Sequence, residues 1–233
     1  TYDAVIISDD AALQFVMDHQ EELFPKTPVF FVGINDHDRA YKASLNPYMT
    51  GIYEKASLKD NIDLALRMIP DADEIVGIVD GTVTGIGDEK QFMEIEAQYP
   101  SLKFTLLRSS DYSFDKLKEK LGTFGSQTII LFFTMSMDKD GNYFDMNEQF
   151  AFVSENTNVP VFRISVGGVG KGFLGGKLID YREFGVRAAN TLLDVFGGVS
   201  IETIPLDENT PYYYIFDQNI IDKYKIDSSK IPK

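Results

Sequence analysis

Six short apolar runs, each leading into a small, polar or glycine-rich cluster, limit what this chain can fold into more than any other feature. The run at 4–7 ends at Ser8-Asp9-Asp10, the run at 29–34 at Asn35-Asp36, and the run at 75–79 at Asp80-Gly81-Thr82. The runs at 104–107, 129–133 and 161–166 lead into Ser109-Ser110-Asp111, Thr134-Met135-Ser136 and Gly167-Gly168. Most are followed by a stretch with helical spacing. Strands buried on both faces of a parallel sheet read as continuous apolar runs, and their alternation with helices predicts an α/β fold. Ligands of open α/β sheets bind outside the carboxyl ends of the strands. Here those ends carry short hydrogen-bonding groups and no evident catalytic set, which points to binding rather than turnover.

The charge balance narrows the partners. Of 233 residues, 36 are Asp or Glu and 22 are Lys or Arg, a formal charge of −14. A polyanion needs a clustered basic face. The basic residues here are interleaved with acids, as in Asp115-Lys116-Leu117-Lys118-Glu119-Lys120, so nucleic acid is excluded as a partner. The chain has no cysteine, which rules out disulfides, thiolate metal sites and thiol catalysis. No apolar run approaches the ~20 residues of a membrane helix, and no signal peptide is evident. A start at Thr-Tyr-Asp rather than Met reads as an excised piece of something longer. The length accommodates one large domain or two small ones.

The chain begins with a strand at 3–8, a helix over 10–23 that Asp9 or Asp10 can cap, and a strand at 28–34. A helical turn is expected near 38–44, then a short strand at 50–53 and a helix capped by Ser57 and ended by Pro70. Strands at 75–79, 104–107 and 128–133 follow, paired with helices at 88–98, 113–121 and 145–156, and strand 161–166 closes that set. Residues 167–176 hold six glycines and read as a flexible loop or hinge. Beyond it come an extended crossover at 177–179, a helix at 183–196 stopped by Gly197-Gly198, strands at 201–206 and 212–216, and a helix at 220–224.

Asp80-Gly81-Thr82 resembles a phosphatase motif, but Ile78 stands where the nucleophilic aspartate would be, so no phosphoenzyme can form. Asp80 and Thr82 read instead as ligand-side polar groups, or as a turn and helix entry. Gly168-Val169-Gly170-Lys171-Gly172 lacks the Ser or Thr that follows the lysine of a phosphate-binding loop. Its backbone amides can still meet an anionic group. Asp138-Lys139-Asp140-Gly141-Asn142 fails as a calcium loop, because Tyr143 takes the glycine position and Gln149 replaces the closing glutamate. A turn into a capped helix fits it better. His19 reads as a solvated helix residue, and His37 lies in a loop between Asp36 and Asp38. No histidine stands in a readable relation to Ser8, so no Ser–His–Asp set is read. Tyr53, Tyr112 and Tyr181 fall near strand ends or crossings and can stack on a ligand ring. No catalytic residue, cofactor or metal is assigned.

Five sets of segments, in order, carry a resemblance. They are Tyr2-Asp3-Ala4-Val5-Ile6-Ile7-Ser8-Asp9-Asp10-Ala11-Ala12 and Thr27-Pro28-Val29-Phe30-Phe31-Val32-Gly33-Ile34. Then come Asn158-Val159-Pro160-Val161-Phe162 with Gly175-Gly176, and Gly185-Val186-Arg187-Ala188-Ala189 with Gly197. The last is Phe216-Asp217 with Tyr224-Lys225-Ile226-Asp227 and Ile231-Pro232. Together they resemble type I periplasmic binding proteins. The nearest likeness is to the ABC-transporter substrate-binding branch, which also forms extracytoplasmic sensor regions of histidine kinases and diguanylate cyclases.

The resemblance implies two Rossmann-like lobes with parallel sheets and a ligand between them. Lobe 1 would be 1–49 plus 178–233 and lobe 2 would be 54–173, with hinges near 50–53, 173–177 and 206–212. Complete members carry further strand–helix units ahead of a strand like that at 3–8, so the first lobe is expected to be truncated at its N-terminus. A partner chain can complete such a sheet. The implied role is a small-molecule binding module, with an amino acid as the first expectation. It would be a sensor region working by hinge closure, tethered to the membrane outside the cytoplasm, with any kinase or cyclase domain outside this chain. The alternatives are a solute-binding component acting with an ABC permease, and a non-binding structural module, for instance a homodimer; an enzyme is the least favoured. The expected binding groups are Ser8, Asp9, Asn35, Asp36 and Tyr53 on one side. On the other they are Asp80, Thr82, Ser109, Thr134, Ser136, Gly168 and Gly170.

Overall fold

The computed structural model describes residues 2–232. In chain order the elements are β1 (Val5–Ser8), α1 (Asp10–Leu23), β2 (Val29–Ile34), α2 (His37–Ser44), β3 (Met49–Tyr53), α3 (Leu58–Met68), β4 (Glu74–Val79) and α4 (Val83–Ile95). Then follow β5 (Lys103–Arg108), α5 (Phe114–Leu121), β6 (Thr128–Phe132), α6 (Met146–Asn156), β7 (Val161–Arg163), β8 (Gly175–Ile179), α7 (Tyr181–Phe196), β9 (Tyr212–Phe216) and α8 (Gln218–Tyr224). They sort into two compact units. One holds the chain up to Lys55 together with Asp180–Pro211; the other holds Ala56–Ile179 together with the chain from Tyr212 on. The chain thus passes from one unit to the other three times. Among the described residues no helix is long and apolar enough to cross a membrane.

The first unit is a parallel sheet in the order β1-β2-β3. Val5 pairs with Val29 and Ser8 with Val32, and Val29 pairs with Met49. The apolar spacing read from the sequence is what packs: Val29, Phe31 and Ile34 meet Leu13 and Val16 of α1 and Ala40 and Ala43 of α2. The β2–β3 register shifts between Phe31 and Ile34, where Gly33 takes φ 66°. β1 departs from the expected burial on both faces. It is an edge strand whose side chains alternate between half-buried and exposed, with Ile6 53% exposed. Phe15, Leu23, Leu193 and Phe196 of this unit are also at least half exposed.

The second unit is a sheet in the order β5-β4-β6-β7-β8-β9, parallel except for β9, which pairs antiparallel with β8. Period-two alternation divides its strands between two cores. Ile75, Val79, Ile129 and Leu131 meet Ile62 and Ala65 of α3, Phe92 of α4 and Ile220 of α8. Val76, Ile78, Ile130 and Phe132 meet Leu117 of α5 and Phe150 and Val153 of α6.

Four expectations are revised. Residues 50–53 form no crossing segment; they lie in β3, and the passage to the second unit falls after Lys55. Residues 212–233, expected with the first lobe, follow the second unit, because β9 extends its sheet and α8 packs into its core. Residues 201–206 form no strand. Thr203 and Ile204 bond back to Ser200 and Ile201, a single 3₁₀ turn. Finally, the glycine-rich segment is built rather than loose. Gly175 and Gly176 open β8, the Phe173 amide donates to the Gly168 carbonyl, and the Gly170 amide donates to Asp217 Oδ2 at 2.9 Å.

Candidate functional site

The carboxyl ends of the first unit's strands gather a group of acids. Asp9, at the N-cap of α1, has φ 82° and makes no capping bond. Asp10 reaches across instead: its carboxylate accepts from the amides of Asn35 (3.0 Å) and Asp36 (3.3 Å), and Arg39 Nη1 lies 3.6 Å away. The expected capping role of these two aspartates is therefore replaced by a tie between the ends of β1 and β2. Asp36 is itself committed, capping α2 through the Arg39 amide at 3.1 Å. Tyr53 ends β3 with its ring edge-on to His37, centroids 4.9 Å apart, and His37 Nε2 lies 3.1 Å from Glu208.

One residue beyond Tyr53 stands the group that the sequence reading missed. Glu54 is 8% exposed. Its Oε1 accepts the Tyr181 hydroxyl at 2.8 Å, and its amide donates to the Ile34 carbonyl. Burial pushes its carboxyl up to about 7; the Tyr181 hydrogen bond pulls down, and the charges of Asp10 and Asp9 add to the rise. Burial also raises Asp10, against the Asn35 and Asp36 amides and Arg39. The signal that could have found Glu54 was its place. It is the acid after the third apolar run of this unit, in the same relation to its strand as Asp9 and Asn35 are to theirs.

The second unit's strand ends are organised around Asp80, which is wholly buried. Oδ1 accepts from the Thr82 amide (3.0 Å) and hydroxyl (2.5 Å). Oδ2 accepts from the Thr134 hydroxyl (3.1 Å) and from the Ser136 amide (2.9 Å) and hydroxyl (2.6 Å). Burial alone would raise this carboxyl, but the donors from Ser136 and Thr82 outweigh it and hold it below the usual carboxylate range. Thr82 also caps α4 by accepting the Gly85 amide at 3.1 Å. A Cβ on Gly85 would come within 2.4 Å of Asp80 Oδ1, so that helix entry needs the glycine. Four of the expected binding groups, Asp80, Thr82, Thr134 and Ser136, thus form one closed network. Ser109, also wholly buried, donates inward to the Met137 carbonyl at 2.7 Å. Gly168 is buried and Gly170 is exposed, with its amide on Asp217. Arg163, buried beneath this end, donates to the carbonyls of Phe132, Phe133 and Val166.

Other sequence candidates resolve simply. Asp138 organises the turn expected there, accepting from the amides of Asp140 and Asn142 at 2.9 Å each. Tyr112 is covered by Lys120 Nζ, 4.5 Å from its ring centroid. Among the described residues no three His, Cys, Asp or Glu side chains come together as a metal site.

No protein-family model matches the chain, and no curated protein matches it. Solved structures do. A domain from Streptococcus pneumonia described as the ABC domain in complex with L-Trp superposes with TM-score 0.72 at 15% identity, over 100% of this chain and 77% of that one. The ligand-free, open form of CD0873, a substrate-binding protein with adhesive properties from Clostridium difficile, gives 0.68 at 16% identity, over 97% and 74%. A periplasmic solute-binding protein of an ABC transporter from Actinobacillus succinogenes, with bound D-allose, gives 0.60 at 14%, over 95% and 81%. Two strand–helix units joined by three passages of the chain, with these neighbours, define the type I periplasmic-binding-protein fold. At these identities the likeness is one of fold.

Proposed function

We propose that this chain is a small-molecule binding module. The observation that carries it is the fold, shared with a domain solved in complex with L-Trp and with a periplasmic solute-binding protein solved with D-allose. The absence of a catalytic set in the sequence reading agrees with it. The finer reading is an extracytoplasmic, membrane-tethered sensor region that works by hinge closure at the passages after Lys55, Ile179 and Pro211. The neighbours' names favour a second reading, the solute-binding component of an ABC transporter.

Native mass spectrometry and a thermal-shift screen against amino acids, nucleosides and sugars test binding. A ligand held at a hundred times its Kd adds about 2.7 kcal/mol, several degrees of Tm for a domain of this size. A folded protein that no compound stabilises would sink the reading and favour a structural module. Steady turnover of a bound compound would revive an enzyme.

A further inference from the structure

We propose that the carboxyl end of the first unit's sheet is a receptor for an amine, with the Glu54 carboxylate and the Ser8 hydroxyl accepting hydrogen bonds from a ligand ammonium. This deepens the binding-module reading and rests on it.

The geometry converges on one point. Gly33 sits in the irregularity of β2 with φ 66° and no side chain. A Cβ built there would lie 3.3 Å from Glu54 Oε2 and 3.4 Å from Ser8 Oγ. Any other residue would fill that space and would be strained in doing so. Both oxygens are open: among the described residues neither Glu54 Oε2 nor Ser8 Oγ takes part in a hydrogen bond. The other Glu54 oxygen is fixed by Tyr181, so the open one cannot swing away without losing that bond.

The electrostatics select the sign. Glu54 is more than nine-tenths buried, yet no Lys or Arg pairs with it among the described residues. The basic side chain near this end, Arg39, is engaged by Asp10 and Asp36. A buried carboxylate with a single neutral donor is costly unless a cation joins it. The ionisable groups acting on Glu54 are Tyr181, Asp10 and Asp9; the two aspartates repel an anion and favour a cation. A bound metal would need a cluster of ligands that does not form among the described residues. An ammonium needs only acceptors within reach.

The sign of the pH dependence follows. Ammonium binding requires ionised Glu54, and that carboxyl titrates near 7 in the free protein. Affinity for an amine should therefore rise about tenfold between pH 6 and pH 8 and level off above. A neutral ligand has no reason to follow that curve.

The test is calorimetric titration, at pH 6 and pH 8, with a panel of amines and matched compounds without the amine. The amines are the twenty amino acids, tryptamine and putrescine. The others are indole-3-propionate, phenyl-lactate, D-allose and allitol. The proposal expects amines alone to bind, with the stated pH dependence. Glu54→Gln should weaken amine binding by at least about 30-fold and flatten the pH curve. Tyr181→Phe should move that curve to higher pH, which a merely structural role would not do. Binding of the amine-free compounds with equal affinity, or amine binding indifferent to Glu54→Gln, overturns the proposal and leaves the binding module standing. A folded protein that binds nothing in the panel overturns both.

Discussion

Two buried carboxylates occupy equivalent places in the two units, and they could hardly differ more. Asp80 follows β4 and receives five hydrogen bonds from Thr82, Thr134 and Ser136. Glu54 follows β3 and, among the described residues, receives one, from Tyr181. Both lose hydration on burial, which raises a carboxyl's affinity for its proton. At Asp80 the donors reverse that effect; at Glu54 they do not. A strand-end acid can therefore be a keystone or a receptor. What decides is how much of its acceptor capacity the fold itself has filled.

The largest effect should come from removing the keystone. Asp80→Ala leaves the donors of Thr82, Thr134 and Ser136 without their acceptor and should cost about 3–5 kcal/mol in urea unfolding. A loss below about 1 kcal/mol would show that Asp80 does not hold its end of the sheet together. Next in size is Glu54→Gln, with the opposite sign. The Glu54 carboxyl is raised from 4.5 to about 7, so its contribution to stability is fully present below 4.5 and is lost as pH rises through 7. The substitution should leave stability at pH 4 nearly unchanged. At pH 8 it should raise stability by up to about 3 kcal/mol. Unfolding midpoints at the two pH values check it, and a destabilised variant at pH 8 would contradict the picture. Asp80, held below its usual range, contributes in the other sense. Its stabilisation is present above the ordinary aspartate value and disappears as pH falls through the lowered one.

Smaller effects sharpen the contrast. Tyr181→Phe removes the single hydrogen bond that Glu54 receives and should cost about 1–2 kcal/mol at pH 8, and less at pH 5 where the carboxyl is protonated. Thr82→Ala removes both a donor to Asp80 and the cap of α4. About 1 kcal/mol is expected from the cap, read as a shift in denaturant midpoint without a change of slope.

Much of the fold was legible because it depends on local pattern. The runs at 75–79 and 128–133 are strands that serve two cores at once, and a strand covered on both faces reads as an unbroken apolar run. Helix starts were legible where a short side chain reaches back to its own backbone, as at Ser113 and Asp145, whereas α4 begins at Val83, ahead of the helix expected over 88–98. At Asp10 and Ser57 the starts also fall where expected, but the capping bonds do not form, because both side chains bond to chain distant in sequence: the Asn35 amide and the Lys177 carbonyl. The glycine-rich segment was misread for a related reason. Six glycines permit mobility, but the tie from Gly170 to Asp217 fixes part of it, and that pairing spans 47 residues.

The candidate groups divide in the same way. That strand ends would carry the polar residues was evident from sequence, since loops at those ends are where an α/β sheet exposes backbone to a ligand. Which of those residues stay open was not evident. Asp80 read as a ligand-side group, and its acceptors are filled by Thr82 beside it and by Thr134 and Ser136 from far along the chain. Glu54 looked like a residue beyond a short strand.

Local pattern dictates the strand–helix alternation, the two-faced cores and the polar strand ends, because each follows from apolar spacing within a few residues. Tertiary structure alone decided that β9 joins the second unit's sheet, that Asp80 is saturated, and that Glu54 is buried with an open oxygen over Gly33. Those outcomes depend on donors and backbone brought together across long stretches of chain, and no local pattern encodes which partner will arrive.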